Sequence, residues 1–199
     1  IDGPIGQEIL DAITNSPARL VALGFMDSGS RSIYTKKAVR KMEDLKGQKI
    51  RMMGNPLFVD TMNAMGGNGV AMGFNELFGA LQTGVVDGAE NNFPSFDTSR
   101  HFEVAKYYSM TEHSMAPEML LMSKKVWDTL SPAEQKIVTD AAAEASKFQR
   151  QVNRDAAAGQ LDALKKGGMT VSEFSPAEQA KLRDKLKPVI DKHGAAIAA

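Results

Sequence analysis

Residues 47–56 read GQKIRMMGNP, a short apolar strand that leads directly into the start of a helix. Arg51 lies between apolar residues of that strand, and Gly54 and Asn55 interrupt the strand. Pro56 suits the first turn of a helix, where its missing N–H group is not needed. The order of strand, turn and helix therefore predicts a β–α unit whose strand carries a guanidinium at its carboxyl end.

The same alternation of strands and helices continues on both sides of this unit. Before it, the sequence predicts a helix over 4–15, a strand over 18–26 and a strand over 31–35. After it, the sequence predicts a helix over 55–65, a strand over 70–72, a helix over 74–84, a strand within 85–92, and strands within 105–112 and 118–124. Such alternation predicts an α/β fold with mainly parallel strand pairing, in which the apolar run 18–26 is buried on both faces.

The last third of the sequence predicts long helices. Ser131 and Glu134 form a capping box in SPAE, and apolar residues then recur at helical steps until Gly159 at the earliest. At about 1.5 Å per residue this helix is roughly 40 Å long or more, which suggests an element that spans two lobes. A second SPAE, at 175–178, predicts a shorter helix, which Pro188 is expected to break.

Composition and motifs exclude several classes of function. The 24 basic and 24 acidic residues cancel and no long apolar run occurs, so we expect no nucleic-acid partner and no insertion into a membrane. Cysteine is absent, which excludes disulfides and thiolate chemistry. The sequence contains no hydrolase, zinc-protease, phosphate-loop or dinucleotide-binding motif, and its three histidines are far apart. We therefore expect no catalytic residue, no metal and no cofactor, and we expect that the protein is not an enzyme.

A binding site has better support than a catalytic one. In open α/β sheets, ligands bind at the carboxyl ends of strands, and a helix amino terminus at that edge favours an anion. Arg51 is predicted at this point, and its guanidinium offers two parallel N–H donors that match a carboxylate. Two other interpretations stay open from spacing alone: Arg51 pairs internally with an Asp or Glu, or its guanidinium reaches solvent.

Three further residues are candidates for the lining of that site. Phe74, at the start of a predicted helix, either packs into the core or faces a ligand. Asn91, after a short strand, either stabilises a turn or offers its amide to a ligand. His113 either lines a pocket or is an ordinary, partly exposed histidine.

Three segments resemble those of a known family: DLKGQKIRMMGNP (44–56), MGFNELFGALQTGVVDGAENN (72–92) and VWDTLSPAEQKIV (126–138). Their order and spacing are similar to those of the DctP-like solute-binding proteins of tripartite ATP-independent periplasmic (TRAP) transporters, and the resemblance covers essentially the whole chain. It implies a periplasmic protein that binds an organic acid by its carboxylate and delivers it to the membrane subunits of the transporter. The runner-up interpretation is a carboxylate-sensing module of a signalling protein.

The resemblance also implies a fold. It is a two-lobed α/β fold like that of type II periplasmic binding proteins, with a long bridging helix. Residues 1–28 and 117–156 would form the remainder of the first lobe, and residues 29–116 and 157–199 the second lobe. Members of the family carry a signal peptide and a further α/β segment at the amino terminus, so we expect the first lobe to be incomplete in this chain.

The resemblance finally assigns ligand-binding roles. The arginine that binds the ligand carboxylate corresponds to Arg51. The other residues that the resemblance places at or near the ligand are Arg31, Phe74, Asn91, Glu76 and His113. The sequence departs from the family pattern in the MMG that follows Arg51, where a proline or a small residue is common, so the surroundings of the ligand are expected to differ there.

Overall fold

The computed structural model describes residues 1–198, with the side chains of residues 161, 197 and 198 excepted. The chain divides into two units. The first comprises Ile1–Gly29 and Ala116–Ala158, and the second comprises Ser30–Met115 and the chain from Gly159 onward. Each unit contains a sheet of its own.

Strands and helices alternate along the described chain. The strands are β1 (Leu20–Met26), β2 (Ser30–Thr35), β3 (Lys49–Met52), β4 (Asn68–Ala71), β5 (Gly88–Asn91), β6 (Tyr107–Met115), β7 (Glu118–Ser123) and β8 (Thr170–Glu173). The helices are α1 (Pro4–Thr14), α2 (Pro56–Met65), α3 (Leu77–Thr83), α4 (Phe93–Thr98), α5 (Lys124–Trp127), α6 (Pro132–Ala158), α7 (Gln160–Lys166) and α8 (Pro176–Ala198). Short 3₁₀ turns cover Met42–Leu45, Phe74–Glu76 and His101–Glu103.

The first unit is built on β1 and β7. These strands pair in antiparallel fashion, with Leu20 opposite Ser123. The prediction that the 18–26 run is buried on both faces of a parallel sheet is therefore wrong, and only Val21 and Phe25 of β1 are buried. The run is apolar because helices α1 and α6 both pack against β1.

Helix α6 is the longest in the first unit, with 27 residues. It begins at the predicted capping box, where the backbone N–H of Ser131 donates to Glu134 Oε2 over 2.7 Å and the Ser131 hydroxyl accepts from the Glu134 backbone over 3.4 Å. It ends directly before Gly159, the earliest end that the sequence predicts. All of its residues belong to the first unit, although its length suggests an element that spans two lobes.

The second unit is built on a six-stranded sheet in the order β4-β3-β5-β2-β6-β8. Strand β3 is parallel to β4 and β5, and β6 is parallel to β8. Strand β2, however, is antiparallel to both of its neighbours, β5 and β6. The prediction of mainly parallel pairing therefore holds for three of the five strand pairs of this sheet. It fails at the two pairs of β2, which inserts between strands that come much later in the chain.

Core side chains cover both faces of this sheet. Ile33 and Tyr34 are neighbours in β2, so their side chains point to opposite faces, and each belongs to a different core cluster. The cluster around Ile33 includes residues of α2 and α8, and the cluster around Tyr34 includes residues of α3, α4 and α7. The sheet is thus an α/β layer structure, which holds its strand ends in fixed positions.

The β3–α2 unit forms as the opening sequence predicts. The side chain of Asn55 caps α2 by accepting a hydrogen bond from the Leu57 backbone over 3.0 Å, and Pro56 occupies the first turn. Gly66 ends the helix with a left-handed φ of 101°, a conformation that glycine adopts without steric cost. The strand β3, the cap at Asn55 and the end of α2 at Gly66 together fix the direction in which β3 presents Arg51.

Helix α8 continues through Pro188, contrary to the prediction that this proline breaks it. A proline inside a helix removes one hydrogen bond and strains the preceding turn, at a cost of about 3 kcal/mol. The helix persists because Leu182, Leu186 and Val189 are buried on both sides of the proline. Tertiary packing here outweighs local propensity.

Candidate functional site

The predicted site residues lie along one edge of the six-stranded sheet. The parallel strands β3, β4 and β5 end there, with Arg51 opposite Val70 on one side and Ala89 on the other. The antiparallel β2 begins there and β6 ends there, with Arg31 opposite Ser114. We call this edge, formed by the carboxyl ends of β3, β4, β5 and β6 and the amino end of β2, the carboxyl edge.

Arg51 is buried at the carboxyl edge, with 3% of its surface exposed. Its Nε donates a hydrogen bond of 2.9 Å to the carbonyl oxygen of Met72, in the segment that follows β4. Among residues 1–198, no carboxylate forms an ion pair with the guanidinium, so an internal ion pair does not account for its position. Because the side chain is buried, exposure to solvent does not account for it either. Burial lowers the pKa of Arg51, yet an arginine stays charged at any physiological pH. Arg51 is therefore a buried cation without an ion-pair partner in the described part of the chain.

Phe74 lies beside this cation. Its ring centroid is 5.6 Å from Arg51 Cζ, within the range of a cation–π interaction. The ring is 41% exposed, so the interpretation that Phe74 packs into the core does not hold. Glu76 belongs to the same 3₁₀ turn and is exposed.

Arg31 differs from Arg51 because it has a protein counter-ion. Its Nε and Nη2 donate to the two carboxylate oxygens of Glu90 over 2.7 and 2.9 Å, a bidentate arrangement. Its Nη2 also lies 3.2 Å from the backbone oxygen of Glu90. The Glu90 side chain is fully buried in β5, next to Asn91. The two arginines of the carboxyl edge thus stand in different electrostatic environments.

The carboxylate of Glu90 is held in its charged form. Burial opposes ionisation, but the nearby His113 and the hydrogen-bonded guanidinium of Arg31 outweigh it and lower the pKa of Glu90 to about 2. His113 Nε2 lies 3.4 Å from Glu90 Oε2, a long contact, and His113 Nδ1 shares a hydrogen bond of 2.8 Å with the hydroxyl of Thr111. The His113 side chain is completely buried, so the interpretation of an ordinary, partly exposed histidine is wrong.

Asn91 is buried at the carboxyl end of β5, opposite Ser32 of β2. Its Oδ1 accepts a hydrogen bond of 2.9 Å from the backbone of Asn92. Asn91 therefore stabilises a turn through Oδ1, as one of the two interpretations of this residue predicts. Among the described residues, the hydrogen bonds of its side chain use Oδ1 alone. Asn92 in turn caps α4, since its Oδ1 accepts from the Ser95 backbone over 2.9 Å.

Sequence reasoning missed several residues around the site. Glu90 stands in a strand whose four positions are all buried, and an acid in such a strand signals a buried partner. Tyr34 and His101 are also fully or almost fully buried, and the Tyr34 hydroxyl lies 2.8 Å from His101 Nδ1. No local pattern links these two residues, because 67 positions separate them in the chain.

Neither a metal site nor a membrane segment was found in the described part of the chain. Within it, no group of three or more His, Cys, Asp or Glu residues could hold a metal ion. Likewise, none of its helices combines the length and the apolar character that crossing a membrane requires.

A buried, charge-assisted donor group at the carboxyl ends of strands is typical of α/β proteins that bind small anionic solutes. The DctP family model, described as bacterial extracellular solute-binding protein, family 7, matches residues 1–196. The chain belongs to this family. Solute-binding proteins of TRAP transporters are not enzymes, in agreement with the lack of catalytic motifs in the sequence.

Similar proteins come from several bacteria. A solute-binding protein of Chromohalobacter salexigens is 36% identical over 192 residues, which cover 96% of this chain and 56% of that protein. A solved TRAP periplasmic solute-binding protein of Pseudomonas putida F1, with bound D-glucuronate, is 52% identical with a TM-score of 0.93, and covers 100% of this chain and 64% of its own. Another, from Sulfitobacter sp. NAS-14.1 with bound β-D-galacturonate, is 41% identical with a TM-score of 0.90, and covers 98% of this chain and 64% of its own.

These similarities confirm the predicted fold class, the two-lobed α/β fold of TRAP solute-binding proteins. The chain spans 56% of the length of the curated relative and 64% of each of the two solved chains. What the whole protein binds and with what it assembles is therefore a matter for proposal.

Proposed function

We propose that the protein is the binding component of a TRAP transporter and that it captures a sugar acid by its carboxylate. The observation that carries this proposal is the guanidinium of Arg51, buried at the carboxyl edge without an ion-pair partner among residues 1–198. An arginine buried without a counter-ion is costly, and an anionic ligand would supply the missing charge.

The surroundings of Arg51 suit a carboxylate that is attached to a sugar ring. Its Nε is bound to the Met72 carbonyl, which fixes the plane of the guanidinium and leaves the two Nη groups for a bidentate pair. The exposed ring of Phe74 offers an apolar surface beside the cation. Asn91 offers its amide group at the same edge, where sugar hydroxyls need hydrogen-bond partners.

The remaining predicted site residues receive narrower roles. Arg31 would line the ligand site from β2, and His113, whose side chain is completely buried on β6, would support it through Glu90. Glu76, exposed beside Phe74, would accept hydrogen bonds from ligand hydroxyls. In this arrangement Arg51 supplies most of the binding energy, and its neighbours select the sugar.

The class of acid is inferred from the similar proteins. The relatives from Pseudomonas putida F1 and Sulfitobacter sp. hold D-glucuronate and β-D-galacturonate, respectively. We propose a uronate, or a sugar acid close to one, as the ligand of this chain. The location proposed with this function is the periplasm, and the partners are the membrane subunits of the transporter.

We also propose that the two units are parts of the two lobes, the first unit of lobe I and the second unit of lobe II. What supports this is that the predicted boundaries, 1–28 with 117–156 and 29–116 with 157–199, lie within two residues of the unit boundaries. The carboxyl edge belongs to the second unit.

Calorimetry with matched sugars tests the proposed ligand class. We expect the full-length protein to bind D-glucuronate or D-galacturonate at least about 30-fold more tightly than D-glucose and D-galactose, because the neutral sugars leave the buried guanidinium unpaired. Each neutral sugar is the control for the acid of the same ring configuration. Equal affinity for acid and neutral sugar would contradict the proposal.

A further inference from the structure

A buried aromatic cluster lies behind the Arg51–Phe74 pair. The ring of Phe74 lies 5.6 Å from the imidazole of His101, and that imidazole lies 5.5 Å from the ring of Tyr34. Tyr34 packs in turn on Phe96 at 4.7 Å. Tyr34, Phe96 and His101 are buried, whereas Phe74 is partly exposed. His101 is therefore the aromatic group that connects the exposed ring at the site with the core.

The backbone holds His101 firmly in this position. Arg100, directly before it, has a φ of 56°, a left-handed conformation that residues other than glycine adopt rarely. The His101 carbonyl then accepts hydrogen bonds from the backbones of Val104 and Ala105, over 3.1 and 3.0 Å. Such a conformation persists only where the surrounding structure determines it, and it is frequent at functional sites.

The hydrogen bond with Tyr34 determines which nitrogen of His101 carries the proton. Burial raises the pKa of the Tyr34 phenol, so the hydroxyl keeps its proton. Its oxygen lies 2.8 Å from His101 Nδ1, and no other hydrogen bond of this hydroxyl is found among the described residues. We assign Tyr34 as the donor to Nδ1, because the reverse bond would leave the phenol proton without an acceptor, and this assignment places the proton of the neutral imidazole on Nε2.

The surroundings of His101 favour the neutral imidazole. Burial and, after it, the positive charge of Arg51 both lower the pKa of His101. A neutral ring packs against Phe74, tilted by 59° to its plane, without placing a second cation next to the guanidinium. Tyr34, His101 and Phe74 thus form a continuous support that begins in the core and ends beside Arg51.

We propose that His101 is a positioning residue of the carboxylate site: oriented by the Tyr34 hydroxyl, its neutral imidazole holds the Phe74 ring beside the Arg51 guanidinium. This inference rests on the proposed function, because the position of Phe74 affects binding only if the site takes a carboxylate ligand. His101 acts through Phe74, and no direct contact between His101 and the ligand is required.

The chain offers a matched pair of substitutions to test this. Tyr34→Phe removes the hydroxyl that bonds to His101 and keeps the ring. Tyr108→Phe removes a hydroxyl from a second buried tyrosine, which also packs on Phe96, at 5.2 Å, but whose hydroxyl interacts with Ser32 and not with His101. Each substitution is made in the full-length protein, alone and together with Phe74→Leu.

Calorimetry with D-glucuronate measures whether the effect passes through Phe74. We expect Tyr34→Phe to weaken binding about fivefold, the effect of one buried hydrogen bond, and Tyr108→Phe to leave it within about twofold. In the Phe74→Leu background the effect of Tyr34→Phe is expected to fall within about twofold. An equal loss in both backgrounds would show a general effect on the structure and would overturn the proposal.

A second measurement needs no ligand and separates this inference from the proposed function. NMR of ¹⁵N-labelled histidine side chains, in a chain with only three histidines, reports which nitrogen of His101 is protonated. We expect Tyr34→Phe, but not Tyr108→Phe, to change the His101 nitrogen signals and to shift the Phe74 ring signals. If neither uronate bound, the proposed function would fail while this result could still support the positioning of Phe74. Unchanged Phe74 signals in Tyr34→Phe would overturn the inference even if the uronates bound.

Discussion

Replacement of Arg51 by alanine is expected to weaken the binding of D-glucuronate by about 30- to 5,000-fold in the full-length protein. This is the loss expected when one partner of a buried, hydrogen-bonded charge pair is removed, about 2–5 kcal/mol. The guanidinium is buried and has no ion-pair partner among residues 1–198, and the other cation of β3, Lys49, is exposed at the amino end of the strand. Isothermal titration calorimetry measures the change directly.

Two further variants make this test specific. Arg51→Lys keeps the positive charge but not the planar pair of donors, so it is expected to lose much of the affinity as well. Arg183→Ala, on the exposed face of α8, removes an arginine elsewhere in the same unit and is expected to leave binding unchanged. An Arg51→Ala protein that bound the uronate as tightly as the wild type would refute the assignment of Arg51.

Replacement of Glu90 by glutamine is expected to lower the free energy of unfolding by about 3–5 kcal/mol. The substitution removes the negative charge from the buried bidentate pair with Arg31, and removing one partner of a buried ion pair carries a cost of this size. Denaturant-induced unfolding measures the loss. The control is Glu103→Gln, which breaks the exposed ion pair with Arg100 and is expected to cost less than about 1 kcal/mol.

The pH dependence of stability provides an independent check on Glu90. Its pKa in the folded protein is about 2, below the ordinary 4.5, so the folded state favours the carboxylate. The stability that Glu90 contributes is therefore fully present above about pH 4.5 and is lost as the pH falls towards 2. Glu90→Gln is expected to flatten this part of the stability profile. If Glu90→Gln and Glu103→Gln were equally stable, the buried pair would not have the role that its geometry indicates.

The local elements of the fold could be predicted because their signals lie within a few residues. Asn55 and Pro56 start α2 where the sequence places it, and the Ser131 capping box starts α6. Helix α4 has similar signals in Asn92 and Pro94, but no element is predicted there from the sequence.

The pairing of strands could not be predicted in the same way. Strand β2 carries the pattern of a buried strand, yet nothing within it specifies that β5 and β6 become its neighbours, or that it runs against both. The apolar run of β1 suits a parallel interior strand as well as it suits the antiparallel pair that β1 forms with β7. Pairing depends on contacts between distant segments, whereas hydrophobic patterns report only on burial.

The candidate site could likewise be predicted only where its signals are local in the sequence. Arg51 was predicted at the end of a strand before a helix, and the structure places it there, beside Phe74. The counter-ion of Arg31 could not be derived from spacing, because Glu90 lies 59 positions away and reaches it only across paired strands. Two arginines that look alike in the sequence therefore have different environments. This difference favours Arg51 as the residue that we propose to bind the ligand carboxylate.

A crystal structure of the full-length protein with D-glucuronate tests the central claim most directly. The account predicts that both carboxylate oxygens of the ligand lie about 2.7–2.9 Å from nitrogen atoms of the Arg51 guanidinium, with the Phe74 ring beside the sugar. The account would be contradicted by a carboxylate bound elsewhere while Arg51 forms an ion pair with an Asp or Glu of the protein.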